Sequence, residues 1–189
     1  MPVDRAVFSH VSDEGGDVLR KFRSMWEKIL QDALFAAIAA IGFAAISRPP
    51  ARAYVYCAAI AAIGHSIRFV LMSPDCGSPL HIVPATLIAS FAVGLLAVIF
   101  SPIVRTPPET CFFPALLPMI PGMYAYRTFG AAAMCVLSAS QEEFSRCFYL
   151  FASNSFTCIC LLLCMAVGAT LPVFMFKKIS FRATRNATH

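Results

Sequence analysis

Long hydrophobic runs constrain this chain more than any other feature. Residues 29–47, 52–72, 81–104 and 148–176 are nearly free of charged side chains, and each is long enough for a helix to cross the hydrocarbon of a bilayer. Hydrocarbon offers no water to unpaired backbone groups, so such runs must be helices that satisfy their own amides and carbonyls. The chain has 189 residues, of which 59% are hydrophobic and 13% charged, and its mean hydropathy is +0.73. A soluble domain of that length has too much surface to leave so few polar groups for it. The expected fold is all-α, a polytopic membrane helical bundle of about five hydrophobic segments.

The fourth of these segments, Cys111 to Leu137, departs from the others. It contains Pro114, Pro118, Pro121 and Gly122, which a single regular helix would not tolerate. Two pieces are expected, about 111–120 and 122–137, broken at Pro121-Gly122. A break at membrane depth persists only where protein or a watery cavity satisfies the freed backbone groups.

Ahead of the first span, residues 1–17 read as a polar, flexible lead-in with Gly15 and Gly16. Val18, Leu19, Phe22, Met25, Trp26, Ile29 and Leu30 then form one stripe of an amphipathic helix, with Arg20, Lys21, Arg23 and Lys28 opposite. This helix fits either the lipid interface or the flank of the bundle. No cleavable signal peptide is expected, because about 28 residues of mixed charge precede the first apolar run. The first span holds Asp32, read as an interfacial or helix-N-terminal charge, and Gly42, which favours close helix packing. Arg48-Pro49-Pro50 ends that span, Ser73 to Pro79 forms a loop, and residues 138–147 read as a polar loop or surface turn. The organisation is thus a lead-in with an interfacial helix over 1–28, a membrane domain over 29–176 and a basic tail over 177–189.

The net charge of +5 gathers toward the ends of the chain and reads as juxtamembrane, with no nucleic-acid partner implied. With five spans, Arg48, Arg52, Arg105 and the tail fall on one side, which the positive-inside rule makes cytoplasmic; Arg20, Lys21, Arg23 and Lys28 oppose that assignment.

Polar groups inside the apolar runs are the candidates for function. His65 and Arg68 stand three residues apart on one helix face. An arginine at the centre of a membrane helix costs about 2.5–3.5 kcal/mol on insertion scales, so Arg68 either lines a polar pathway or snorkels from near the helix end. His65 reads as a satisfied core histidine or a proton relay. At the break, the amides following Pro121-Gly122 and the positive helix end favour an anion such as a carboxylate, with Tyr126 and Arg127 one turn further on. The alternative there is a proline kink that serves packing alone. Asn154, with Ser153, Ser155 and Thr157, forms a polar patch suited to bonds between helices.

The eight cysteines lie mostly in apolar runs, where Cys acts as a small hydrophobe, and only Cys76 is expected to be exposed. Cys158, Cys160 and Cys164 lack the spacing and the nearby His or acid of a metal site, so neither metal nor cofactor is implied. The sequon at Asn186 is at the chain end and reads as chance. No HExxH, GxSxG, Walker A or GxGxxG motif occurs, and no enzymatic activity is expected.

Three stretches resemble one family. They are Asp32 to Arg52 ending in Arg48-Pro49-Pro50-Ala51-Arg52, then Gly64-His65-x-x-Arg68 with Met72, and Pro118-x-x-Pro121-Gly122-x-x-Ala125-Tyr126. With Asn154 and the basic tail, they are similar to the small subunit of split members of the threonine/serine exporter family over about residues 30–180. The N-terminus is longer than in that pattern, and the last helix has extra cysteines. The resemblance implies a multi-pass protein of the cell inner membrane that exports small carboxylate metabolites. Full-length members imply threonine and serine, and the split type implies succinate. It also implies a larger partner subunit similar to the N-terminal half of full-length members, and it carries no established site residues. The chain is short for a stand-alone transporter, so a homo-oligomer or a partner chain is expected to complete it within the lipid. The other readings are a non-transporting scaffold or assembly subunit and an intramembrane enzyme, for which no acid–base pair is visible.

Overall fold

The computed structural model describes residues 3–74 and 79–176, with side chains from Arg20 onward apart from Lys21. The centre of the expected 73–79 loop with Cys76, the basic tail and Asn186 lie outside the described residues. In chain order the elements are α1 (Val3–Ser47), α2 (Ala51–Met72), α3 (Ile82–Val104), α4 (Glu109–Leu116), a single 3₁₀ turn (Leu117–Met119), α5 (Gly122–Leu137) and α6 (Gln141–Met175). The described residues include no strand, and four helices (α1 from Phe22, α2, α3 and α6) are long and apolar enough to cross a membrane. The chain is an all-α polytopic bundle, and the fourth segment is broken at the expected place.

Two boundaries differ from expectation. The lead-in, the amphipathic stretch and the first span are one helix of 45 residues. Gly15 and Gly16 each cost about 1 kcal/mol in a helix interior, but no proline interrupts the chain between Val3 and Ser47, so nothing stops the helix. The expected polar loop over 138–147 shrinks to three linking residues, because α6 already starts at Gln141. Ser140 caps it by accepting from the Glu143 amide at 3.2 Å, and the Glu143 carboxylate accepts from the Ala139 amide at 3.4 Å. Gln141, Glu142 and Glu143 therefore occupy a first helical turn, where the helix dipole favours acids.

Small residues set the packing of the bundle. Ala36, Ala40 and Ala44 form a fully buried row on α1, and α2 presents Ala53, Cys57, Ile60, Ala61 and Gly64 to the same core. Gly42 was expected to serve this role, but it faces open space. α4 and the 3₁₀ turn are wedged among α1, α2 and α3. At Gly64 an added Cβ would meet the Val93 side chain and lie 3.0 Å from Met119 Cε.

α3 and α6 run parallel: Ser90 Oγ donates to the Cys164 carbonyl at 3.2 Å, and further along both helices Gly94 lies against the Ala169 backbone. Every buried residue of α6 falls between Leu161 and Pro172, and α5 has none. α5 instead packs antiparallel on the first half of α6, with Ala131, Met134 and Leu137 facing Cys147 and Leu150. These two helices form an arm that stands off the core, with Phe129, Val136, Tyr149 and Phe156 among its exposed apolar residues.

Arg48 and Arg105 follow the ends of α1 and α3 with φ of 48° and 58°. This is the left-handed geometry that closes helix C-termini. α1, α3 and α6 all run in one direction, so their C-terminal ends gather at one end of the bundle.

Candidate substrate cavity at the break

The site begins with what proline does to the fourth segment. Pro121 disfavours helical geometry at its predecessor, and Ile120 is extended, with φ −55° and ψ 132°. The carbonyls around the break then need partners. The Ile120 amide closes on Leu117 at 3.1 Å, the Gly122 amide on Ile120 at 2.8 Å, and the Tyr124 and Ala125 amides on Pro121 at 3.0 and 3.1 Å. The Met119 carbonyl is bonded instead by Arg68 of α2, whose Nη1 donates at 3.2 Å. Arg68 thus ties the broken segment to the bundle with one of the five N–H donors of its guanidinium.

Around this joint lies a cavity of 820 Å³, within the usual range for a site holding a small molecule. Its wall includes Lys28 and Asp32 of α1, Arg68 and Met72 of α2, Ile82 of α3, Met119 to Tyr124 across the break, and Leu161 of α6. The cavity lies where the arm joins the core, at the end opposite Arg48 and Arg105.

Asp32 was expected at a helix start or interface. The continuous α1 carries it into the bundle, where its Oδ2 lies 3.3 Å from His65 Nδ1. The Asp32 side chain is 38% exposed, toward the cavity, and that of His65 only 7%. Asp32 stands out in the sequence as the single acid within an apolar run, but its cavity role does not, because its partner sits 33 residues away on another helix.

Of the residues singled out in the sequence, Arg68 and Gly122 line the cavity and His65 stands behind Asp32. Gly122 has open space where a Cβ would stand, and its amide is already bonded. Tyr126 and Arg127 are exposed on the arm, outside the cavity wall. Asn154 Nδ2 donates to Leu150 of its own helix at 2.6 Å, and Thr157 Oγ1 to Ser153 at 2.9 Å. The patch suited to interhelical bonds turns back on α6, because short polar side chains on a helix readily reach the carbonyl one turn earlier. Among the described residues no group of His, Cys, Asp and Glu is placed to hold a metal ion.

The family profile described as "Threonine/Serine exporter, ThrE" matches residues 32–175. The chain belongs to the threonine/serine exporter family. The matched region of this family member starts at Asp32 and takes in the whole cavity except for α1 before that residue. A protein of Haemophilus influenzae described only as uncharacterized is 38% identical over 122 residues, which is 65% of this chain. The chain spans 39% of the length of that relative. No solved structure matches it.

Proposed function

We propose that this multi-pass membrane protein is one subunit of a secondary exporter for small carboxylate metabolites, threonine/serine or a succinate-type dicarboxylate, working with a larger partner subunit. The observation that carries this reading is the convergence of Arg68, Lys28 and the broken segment on one cavity. Arg68 receives the carboxylate. Its planar fork has donors beyond the one used on Met119, and Lys28 adds a second positive charge. The need for a partner is supported by the arm, which has no buried residue on α5.

Efflux of labelled threonine, serine and succinate, from cells with and without this chain alongside its partner, tests the reading and names the substrate. Retention of one of them on loss of the chain is expected. A fall in efflux that only tracks a loss of partner abundance, with flux per remaining partner unchanged, would instead identify an assembly subunit.

On this reading the exposed Tyr126 and Arg127 face the partner. A charged side chain on an apolar arm is expensive in lipid and favourable against a protein acid. Arg127→Ala is expected to lower co-purification of the partner several-fold while leaving carboxylate affinity of the recovered complex unchanged. Weakened carboxylate binding with full co-purification would return Arg127 to the substrate site.

A further inference from the structure

The cavity also holds an acid that a carboxylate receptor has no use for. Asp32 lines the same wall as Arg68 and Lys28, and His65 holds it from behind at 3.3 Å. His65 Nε2 is buried and has no hydrogen-bond partner among the described residues. These facts limit where a proton can reside. With its one proton on Nδ1, neutral His65 donates to the Asp32 carboxylate and leaves only an acceptor nitrogen buried. A second proton on the ring would bury an unpaired charged N–H, which costs far more, and would do so beside the Arg68 guanidinium. A proton arriving from the cavity therefore goes to the Asp32 carboxylate, whose side chain is partly exposed there.

We propose that Asp32, positioned by His65, is the cation-binding group of the cavity, occupied alternately by a proton and by the ammonium of an amino-acid substrate. The proposal rests on the reading that Arg68 binds the substrate carboxylate. Among the described residues, the charged and titratable groups that line the cavity with Asp32 or contact it are Lys28 on its own helix, His65 and Arg68 on α2, and Tyr124 on α5; α3 and α6 contribute the apolar Ile82 and Leu161. A zwitterion laid between Arg68 and ionised Asp32 pairs both of its charges. When the ammonium docks, the Asp32 proton leaves to water through the open cavity, and when the substrate leaves, a proton can return. Substrate and proton then compete for one site, which is the condition for exchanging one against the other.

The intact complex, purified from its own membrane in detergent, supplies the test. Binding of labelled serine and of labelled hydroxypropionate, which is serine without its ammonium, is measured as pH is lowered. Serine affinity is expected to fall by up to about tenfold per pH unit over the range in which a proton competes with the ammonium, and hydroxypropionate affinity is expected not to fall. Asp32→Asn is expected to flatten the serine profile and retain hydroxypropionate binding. His65→Gln is expected to shift the midpoint of the profile, an effect that loss of packing alone would not produce. A flat serine profile in the native complex overturns the proposal even if Asp32→Asn fails to fold. An unchanged profile in Asp32→Asn, or succinate binding without serine binding, overturns it as well. Retention of both ligands by Arg68→Gln would instead sink the carboxylate site on which it rests.

Discussion

Arg68→Gln is expected to weaken carboxylate binding by one to two orders of magnitude, with a smaller loss of stability. A hydrogen bond to a charged group contributes about 1.5–3 kcal/mol, and each 1.4 kcal/mol is about tenfold in affinity. The wall around Arg68 is largely apolar, so it offers few other donors to replace the lost guanidinium. The glutamine amide nitrogen stands two bonds short of the Nη1 that bonds the Met119 carbonyl, so this variant also loses the bond joining α2 to the break, and that lost bond is the source of the smaller loss of stability. Arg68→Lys separates charge from geometry. It keeps the positive charge but loses the fork that bonds the Met119 carbonyl and a carboxylate together. Affinity is expected to fall in the order Arg, Lys, Gln, measured as equilibrium binding to the purified complex. Equal affinity for all three would mean that Arg68 only pins the broken segment.

The division of labour at Arg68 shows what was legible in the sequence. The break itself was readable because Pro121 acts on its immediate neighbours, and the hydrophobic runs were readable because the bilayer imposes length and composition locally. The ends of helices were less so. Gln141 to Glu143 look like a loop by polarity, yet their charges suit the first turn of α6, and only the Ser140 cap decides between the two. The site lies further still from local reasoning. His65 and Arg68 were visible as ionisable groups on one helix face, but Asp32 lies 33 residues from His65 and Met119 lies 51 from Arg68. No periodicity within one helix reports which face of another it will meet. Arg127 illustrates the converse, since nearness in sequence to the break did not bring it into the cavity wall.

Gly94→Val is expected to be the most damaging substitution in the core. At Gly94 an added Cβ would run into the backbone of Ala169 on α6, and backbone cannot rotate aside as a side chain can. One step along the same parallel seam, a Cβ at Gly168 would lie 2.8 Å from the Leu87 carbonyl and 3.2 Å from the Phe91 amide. The two helices are therefore locked at backbone contact from both sides. Overpacking a close-packed core costs about 1–3 kcal/mol, and valine at Gly94 falls at the upper end because the whole seam must separate. Gly42→Ala is the control, because Gly42 has nothing within 4 Å and alanine favours the helix by about 1 kcal/mol. Thermal denaturation in detergent should then show a marked fall in Tm for Gly94→Val and none for Gly42→Ala. The functional consequence follows from connectivity. α6 supplies Leu161 to the cavity wall and carries the arm formed with α5, so parting the α3–α6 seam shifts one wall of the cavity against Arg68 and Asp32. Binding in any Gly94→Val protein that survives purification is expected to weaken for serine and hydroxypropionate alike, whereas Asp32→Asn separates the two. Loss of Tm without that shared loss of binding would mean that the arm moves independently of the seam.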